Sequence, residues 1–312
     1  MAGQDHGRIT RALMICAALA SAASSSPVAQ SRTYRSGIEL VPLTVTVTNR
    51  AGEYVKGLTR SDFTVFENGV PQALTFFAAG TVPIDLALVI DTSSSMMTAM
   101  PLVRAAATGL VQALGDDDRV AVFAANRSVA MPQGFTTDRA AISSAIQAQS
   151  ARGATAVYDA VYIALQELAR QRRHETEVRR QVLVLLSDGL DNASHVSAEE
   201  VADRARRVGA SVYAIALTNP AEAHLAQNRD RARAAFDLKA LVSDSGGRLF
   251  HSPSSRELPK IYGAIANELA NQYDLAYVPP GPADDGSFRR VAVRVSADQA
   301  VARTRSGYYA AR

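Results

Sequence analysis

Cysteine is almost missing from this chain of 312 residues: Cys16 stands alone, inside an N-terminal apolar segment. A disulfide framework is therefore excluded, and a chain of this length can rely on its core instead. Lysine is scarce as well, with only Lys56, Lys239 and Lys260. The formal net charge is +3 and no dense Lys/Arg block occurs, so neither nucleic acid nor an anionic membrane surface is indicated as a partner. His174, His195, His224 and His251 are scattered, without the spacing of a zinc site or a catalytic triad. There is no Walker-type phosphate loop. Beyond the N-terminus no apolar run approaches transmembrane length, which predicts no integral span in the mature chain. What is present is an ordinary globular composition, 47% hydrophobic, enough for one large α/β domain and a smaller module.

The first segment reads as an export signal over residues 1–29. Arg8 and Arg11 form a basic start, and Ala12 to Ala23 is an apolar run too short to span a bilayer comfortably. Cleavage is expected between 22 and 29, after Ala20-Ser21-Ala22 or after Pro27-Val28-Ala29; an uncleaved anchor is the alternative. Ile15 before Cys16 argues against lipoprotein processing. The expected location is exported, periplasmic or secreted.

Residues 37–80 read as β. Leu43, Val45 and Val47 alternate with Thr44, Thr46 and Thr48, the period of a half-buried strand. Phe63, Val65 and Glu67 before Asn68-Gly69 predict a hairpin that returns through Gln72 to Phe77. Residues 274–312 add strands over Leu275–Val278, Phe288–Val295 and Val301–Tyr308. The two segments are expected to pair as one composite β module. Between them, residues 82–273 alternate strand and helix. Strands are predicted near 83–90, 119–125, 129–135, 181–187, 211–217 and 247–251. Helices are predicted near 98–114, 138–149, 155–172, 197–208, 231–243 and 255–271. Such alternation predicts a doubly wound, mainly parallel α/β sheet flanked by helices. Ligands of these sheets bind beyond the carboxyl ends of the strands.

The apolar run Ile84-Asp85-Leu86-Ala87-Leu88-Val89-Ile90 leads directly into Asp91-Thr92-Ser93-Ser94-Ser95. A buried strand would thus end in a carboxylate and two hydroxyls at i, i+2 and i+4. Three hard oxygen donors in one tight loop suit a Mg²⁺-like cation. Taken alone, the same residues also read as a Ser-rich turn with a helix N-cap. Two further loops add oxygens. Gly153-Ala154-Thr155 opens a long helical pattern, and Val182-Leu183-Val184-Leu185-Leu186-Ser187-Asp188-Gly189 is a second apolar strand ending in a carboxylate.

In this order the three loops resemble those of the von Willebrand factor type A domain and its metal-ion-dependent adhesion site. The likeness spans about residues 82–273. The flanks Gly57-Leu58-Thr59-Arg60-Ser61-Asp62-Phe63, Phe66-Glu67-Asn68-Gly69-Val70-Pro71-Gln72 and Arg303-Thr304-Arg305-Ser306-Gly307-Tyr308-Tyr309 extend it. With them the chain is similar to the exported bacterial VWFA-related family. The resemblance implies that Asp91, Ser93, Ser95, Thr155 and Asp188 hold a metal, with Ser93 and Ser95 as direct ligands. Thr155 and Asp188 would exchange direct for water-mediated contacts. Mg²⁺ is expected from ligand hardness and abundance, with Mn²⁺ or Ca²⁺ as alternatives.

With neutral hydroxyls and only two carboxylates around it, a divalent cation would hold water at its remaining positions and stay Lewis acidic, and an Asp or Glu of a protein partner could replace one water. The expected function is therefore a non-enzymatic, metal-dependent protein-binding or adhesion module. The alternative is an assembly subunit of an envelope complex whose metal only stabilises the fold. A hydrolase reading of Asp244-Ser245-Gly246-Gly247 is disfavoured, because these residues read as a helix end with a glycine C-cap. Around the site, Met96 and Met97 read as packing under the sheet more than as an apolar rim. Gly153 reads as a close backbone approach or a turn. Asp159 reads as a favourable charge at a helix N-terminus more than as support for the loop, and Asp191 as a solvated loop charge more than as a residue backing the metal ligands.

Overall fold

The computed structural model describes residues 40–310, apart from 81, 175–176, 189–190, 218–237 and 281–284. The export segment 1–29, the connection from Pro220 to Arg231 and the first part of the 231–243 helical pattern lie outside the described residues.

Four strands come first: β1 (Val41–Thr48), β2 (Phe63–Glu67), β3 (Val70–Gln72) and β4 (Leu74–Ala79). The α/β region then runs β5 (Ile84–Asp91), α1 (Met100–Gln112), β6 (Arg119–Ala125), β7 (Val129–Thr136), α2 (Arg139–Gln147) and α3 (Val157–His174). It continues through β8 (Arg180–Ser187), α4 (Ala198–Val208), β9 (Ser211–Leu217), helical residues 238–245, β10 (Leu249–Ser252) and α5 (Leu258–Ala270). The chain closes with β11 (Tyr273–Tyr277), β12 (Phe288–Val295), β13 (Val301–Arg303) and β14 (Gly307–Tyr309).

The six central strands form one sheet in the order β10-β9-β8-β5-β6-β7, parallel except for β7. All eight residues of β5 are buried, as a strand covered on both faces requires. Its alternation sorts side chains by size. Leu86, Leu88 and Ile90 face α1, α2 and α5, where Met100, Val103, Ala107 and Leu110 recur at helical spacing. Ala87 and Val89 face the other side with Ala160, Ala164 and Leu168 of α3. Small residues there let α3 lie close over β5. The order steps from β5 to β6 on one side and to β8 on the other, so their loops open from one edge. This is the predicted doubly wound α/β sheet.

The terminal segments pair as expected, but not as a simple module. They build two four-stranded antiparallel sheets, β13-β1-β11-β4 and β14-β12-β2-β3. Val45, Val47, Phe63, Val65, Leu275, Tyr277 and Val291 form a core shared by the two. The hairpin at Asn68-Gly69 forms, with positive φ at both residues (48° and 84°), as a tight β2–β3 turn needs. Its return strand does not run unbroken to Phe77. It stops at Gln72, and β4 crosses to pair with β11. The single strand read over Val301–Tyr308 likewise splits, β13 joining β1 and β14 joining β12.

Buried carboxylates tie these sheets to the α/β region. Glu268 of α5 is fully buried and accepts from Tyr213 of β9 (2.8 Å), from Thr46 of β1 (3.3 Å) and from Arg303 of β13. The Tyr54 hydroxyl donates to the other Glu268 oxygen (3.4 Å), so replacing Glu268 by Leu takes the acceptor from a guanidinium and three hydroxyls together. The expected cost is about 3 kcal/mol or more, read as a lowered urea midpoint with an unchanged slope.

Candidate metal centre

β5 and β8 are neighbours in parallel register, the last pair being Ile90 with Leu186. One step further the two strands end, β5 at Asp91 and β8 at Ser187, with Asp188 following. Asp91 is completely buried. Its Oδ1 accepts from the Ser93 backbone N–H (2.9 Å) and its Oδ2 from the Ser187 hydroxyl (2.8 Å). Neither of these partners is cationic. Ser93 is buried and Ser95 exposed, with their hydroxyl oxygens 3.0 Å apart.

Backbone hydrogen bonds hold the three loops together. Arg152 N–H donates to the Thr92 carbonyl (2.7 Å) and Ser94 N–H to the Gly153 carbonyl (3.0 Å), which joins the first loop to the second. Thr155 is buried; its N–H donates to Asn192 Oδ1 and its carbonyl accepts from the N–H groups of Asn192 and Ala193, all at 3.0 Å. That joins the second loop to the third. Asp188 lies near enough to raise the Asp91 pKa electrostatically. The structure therefore draws the loops of Asp91, Ser93, Ser95, Thr155 and Asp188 into one place at the sheet edge.

Burial is the main force on Asp91. It pushes the carboxyl up to about 6, with help from Asp188 and against the hydrogen bonds of Ser93 and Ser187. Asp85, six residues earlier on the same strand, behaves oppositely. Burial pushes it up too, but Arg119 and Arg179, each 2.8 Å away, hold it below the usual carboxylate range. One end of β5 carries a neutralised aspartate, and the other carries an aspartate with only neutral hydrogen-bond donors.

Neighbouring residues sort themselves by contact. Met96 is wholly buried in the core, whereas Met97 is 62% exposed beside the loop. Gly153 has φ of 76° and no heavy atom near its would-be Cβ, so it serves a turn and not a close approach. Asp191 is no solvated loop charge: it accepts from the Tyr158 N–H (2.9 Å) and from Ser194, capping α3. Asp159 does sit in the first turn of α3, but its carboxylate accepts from the N–H groups of His195 and Val196, bracing the third loop. Ser245 is buried, donates to the Val242 carbonyl (2.9 Å) and accepts from the Val212 N–H (3.0 Å). Gly246, at φ 77°, ends that helical stretch. Sequence reasoning missed Ser187 and Asn192 as site residues. The register of β8 against β5 is the signal that would have found Ser187. Nothing in the sequence points to Asn192.

The von Willebrand factor type A domain model matches residues 85–264, more than half of the chain and the whole span of these loops. The chain belongs to that family. It is also 35% identical over 112 residues to the protein sll0103 of Synechocystis sp., a match covering 35% of this chain and 26% of that protein. The chain thus spans about a quarter of the length of that curated relative. Among solved structures, a von Willebrand factor type A protein from Catenulispora acidiphila is similar at 15% identity and TM-score 0.49, over 80% of this chain and 72% of that one. The von Willebrand domain of the pilus tip protein Mfa5 from Porphyromonas gingivalis matches at 14% identity and TM-score 0.47, over 60% of this chain and 95% of that one. Among the described residues no group of three or more His, Cys, Asp or Glu side chains is arranged to hold a metal. A site in this type A domain would draw on hydroxyls.

The raised Asp91 pKa has a defined consequence for the metal-free chain. Between pH about 4 and about 6 the unfolded chain has lost this proton while the folded chain keeps it. Stability therefore falls as pH rises through that window, by up to about 3 kcal/mol. Urea unfolding across pH should show the slope in the parent chain and a flatter one in Asp91→Asn. Equal slopes would show that another group is responsible.

Proposed function

We propose that this chain is a non-enzymatic, exported, divalent-metal-dependent protein-binding module, acting in the periplasm or after secretion. One observation carries the reading. A fully buried aspartate at a strand end is surrounded by neutral donors and faces a second aspartate, where a cation would be expected. The donor chemistry fits a hard divalent ion. The Ser93 and Ser95 oxygens stand 3.0 Å apart. Adjacent ligands in an octahedral Mg²⁺ shell lie about 2.9 Å apart, given metal–oxygen distances near 2.0–2.1 Å.

Asp91, Ser93, Ser95, Thr155 and Asp188 would hold the ion, with Mg²⁺ favoured over Mn²⁺ or Ca²⁺. The bound ion would supply a Lewis-acidic position for an Asp or Glu of a protein partner. The chain's own residues do the rest. Ser187 and the Ser93 amide orient the Asp91 carboxylate. Asn192 and Asp191 hold the second and third loops at fixed separation. Met97 offers an exposed apolar contact beside the site. The N-terminal basic-apolar-small pattern supports export. Among the described residues no helix is long and apolar enough to cross a membrane.

Titration calorimetry with Mg²⁺ and Mn²⁺ tests the metal. The expected result is one saturable site in the parent chain and in Ser245→Ala, lost in Asp91→Ala with the fold retained. Loss in both variants, or in neither, would overturn the assignment. Capture of an acidic peptide in Mg²⁺ but not in EDTA is then expected. Capture that ignores the metal would favour an assembly subunit with a merely stabilising ion.

A further inference from the structure

The rim of the candidate metal centre is charged on one side only. Thr92, which precedes Ser93, is held by two neighbouring segments. Its N–H donates to the Ala125 carbonyl (2.7 Å) and its hydroxyl oxygen accepts from the Asn126 side chain (3.4 Å), which fastens the β6–β7 turn to the first loop. Its carbonyl accepts from the Arg152 N–H (2.7 Å), which fastens the second loop. Arg127 follows Asn126 in the turn, so Arg127 and Arg152 flank the residue next to Ser93. Both are exposed. Among the described residues neither guanidinium takes part in an ion pair or a side-chain hydrogen bond.

No carboxylate on that side offsets them. From Thr92 to Gly115 there is no Asp or Glu, and from Arg119 to Tyr158 the only one is Asp138. Asp138 caps α2 just beyond the end of β7, and β7 runs antiparallel to β6 with Thr136 beside Val120. Asp138 therefore lies at the edge of the sheet away from the metal loops, as do Asp116, Asp117 and Asp118 before β6. Arg119 and Arg139 belong to that far edge too, the first paired with Asp85 and the second donating to the Gly115 and Asp118 carbonyls. On the third loop the carboxylates are already engaged: Asp159 accepts from the N–H groups of His195 and Val196, and Asp191 from those of Tyr158 and Ser194. The β6 side of the rim is thus left with two guanidinium groups, whose planar donors match a carboxylate.

We propose that the partner segment is polyacidic: one Asp or Glu completes the metal shell, and acidic residues flanking it pair with Arg127 and Arg152. This rests on the metal-dependent binding proposed above and names the kind of partner that fits it. Next to a bound divalent ion, the two arginines raise the local positive potential further, which speeds encounter with an acidic segment and repels a basic one. Exposed ion pairs add little each in water. Arg127 and Arg152 therefore select among carboxylate ligands, while the metal loops supply the anchoring contact.

The test is calorimetry on the full chain in Mg²⁺ with three end-blocked peptides: one Asp among serines, the same Asp between acidic residues, and the same Asp between lysines. The polyacidic peptide is expected to bind tightest and the lysine-flanked one weakest, with about three- to tenfold between the polyacidic and single-Asp peptides. Arg127→Gln combined with Arg152→Gln should close that gap while leaving Mg²⁺ affinity and the single-Asp peptide unchanged. Both side chains are exposed, so the double variant is expected to fold. Added salt should narrow the gap in the parent chain. Equal affinity for the polyacidic and single-Asp peptides in the parent, or a gap that survives in the double variant, would overturn the proposal and leave metal-dependent binding in place. Polyacidic binding that persists undiminished in EDTA would overturn it too, and would mark the arginines as a general polyanion surface. Absence of any Mg²⁺-dependent peptide binding would overturn this proposal together with the function on which it rests.

Discussion

The burial of Asp91 is the constraint around which the α/β region is organised. A carboxylate without solvent and without a cationic hydrogen-bond partner is costly, and here the cost is moderated by only a backbone amide and the Ser187 hydroxyl. That geometry requires β8 beside β5 in parallel register, so that Ser187 falls next to Asp91. It requires β6 on the other side, where the Ala125 carbonyl takes the Thr92 N–H (2.7 Å) and turns the chain out of the sheet. The second and third loops are then fastened to the first through Arg152, Gly153 and Asn192. These hydrogen bonds fasten the loops to one another without a ligand, which would keep the ordering cost of the proposed binding small.

The two ends of β5 show how one residue type takes opposite roles. Asp85 is neutralised by two arginines and anchors the base of the sheet. Asp91 lacks such partners and is the carboxylate that the proposed function assigns to the ion. The same division appears across the protein. Glu67 is buried but satisfied by Arg289, Tyr277 and Tyr308 between the two outer sheets. Glu268 is buried but satisfied by Tyr213, Thr46 and Arg303 between α5 and the terminal strands. These satisfied carboxylates are joints. Asp91, with only neutral donors, is where the proposed ligand chemistry is expected.

The sequence by itself determined the element types and the site loops. Period-two and helical patterns are local, and β5 and β8 are apolar runs because a covered parallel strand has no solvent face. The Asp-x-Ser-x-Ser turn, Thr155 and Asp188 each follow from short motifs that one loop can carry. Only the tertiary structure decided what those motifs touch. Asn192 reaches Thr155 across 37 positions, and Asp191 reaches Tyr158 across 33, so nothing within either segment announces the bond. The break at Ala73 and the split of β13 from β14 arise because strands of the terminal segments must share one core between two sheets. Arg127 and Arg152 are equally silent in the sequence: they stand in separate loops, and only the hydrogen bonds of Thr92 bring those loops together beside Ser93. Periodicity is written residue by residue, whereas burial, register and an unpaired charge exist only once distant segments pack.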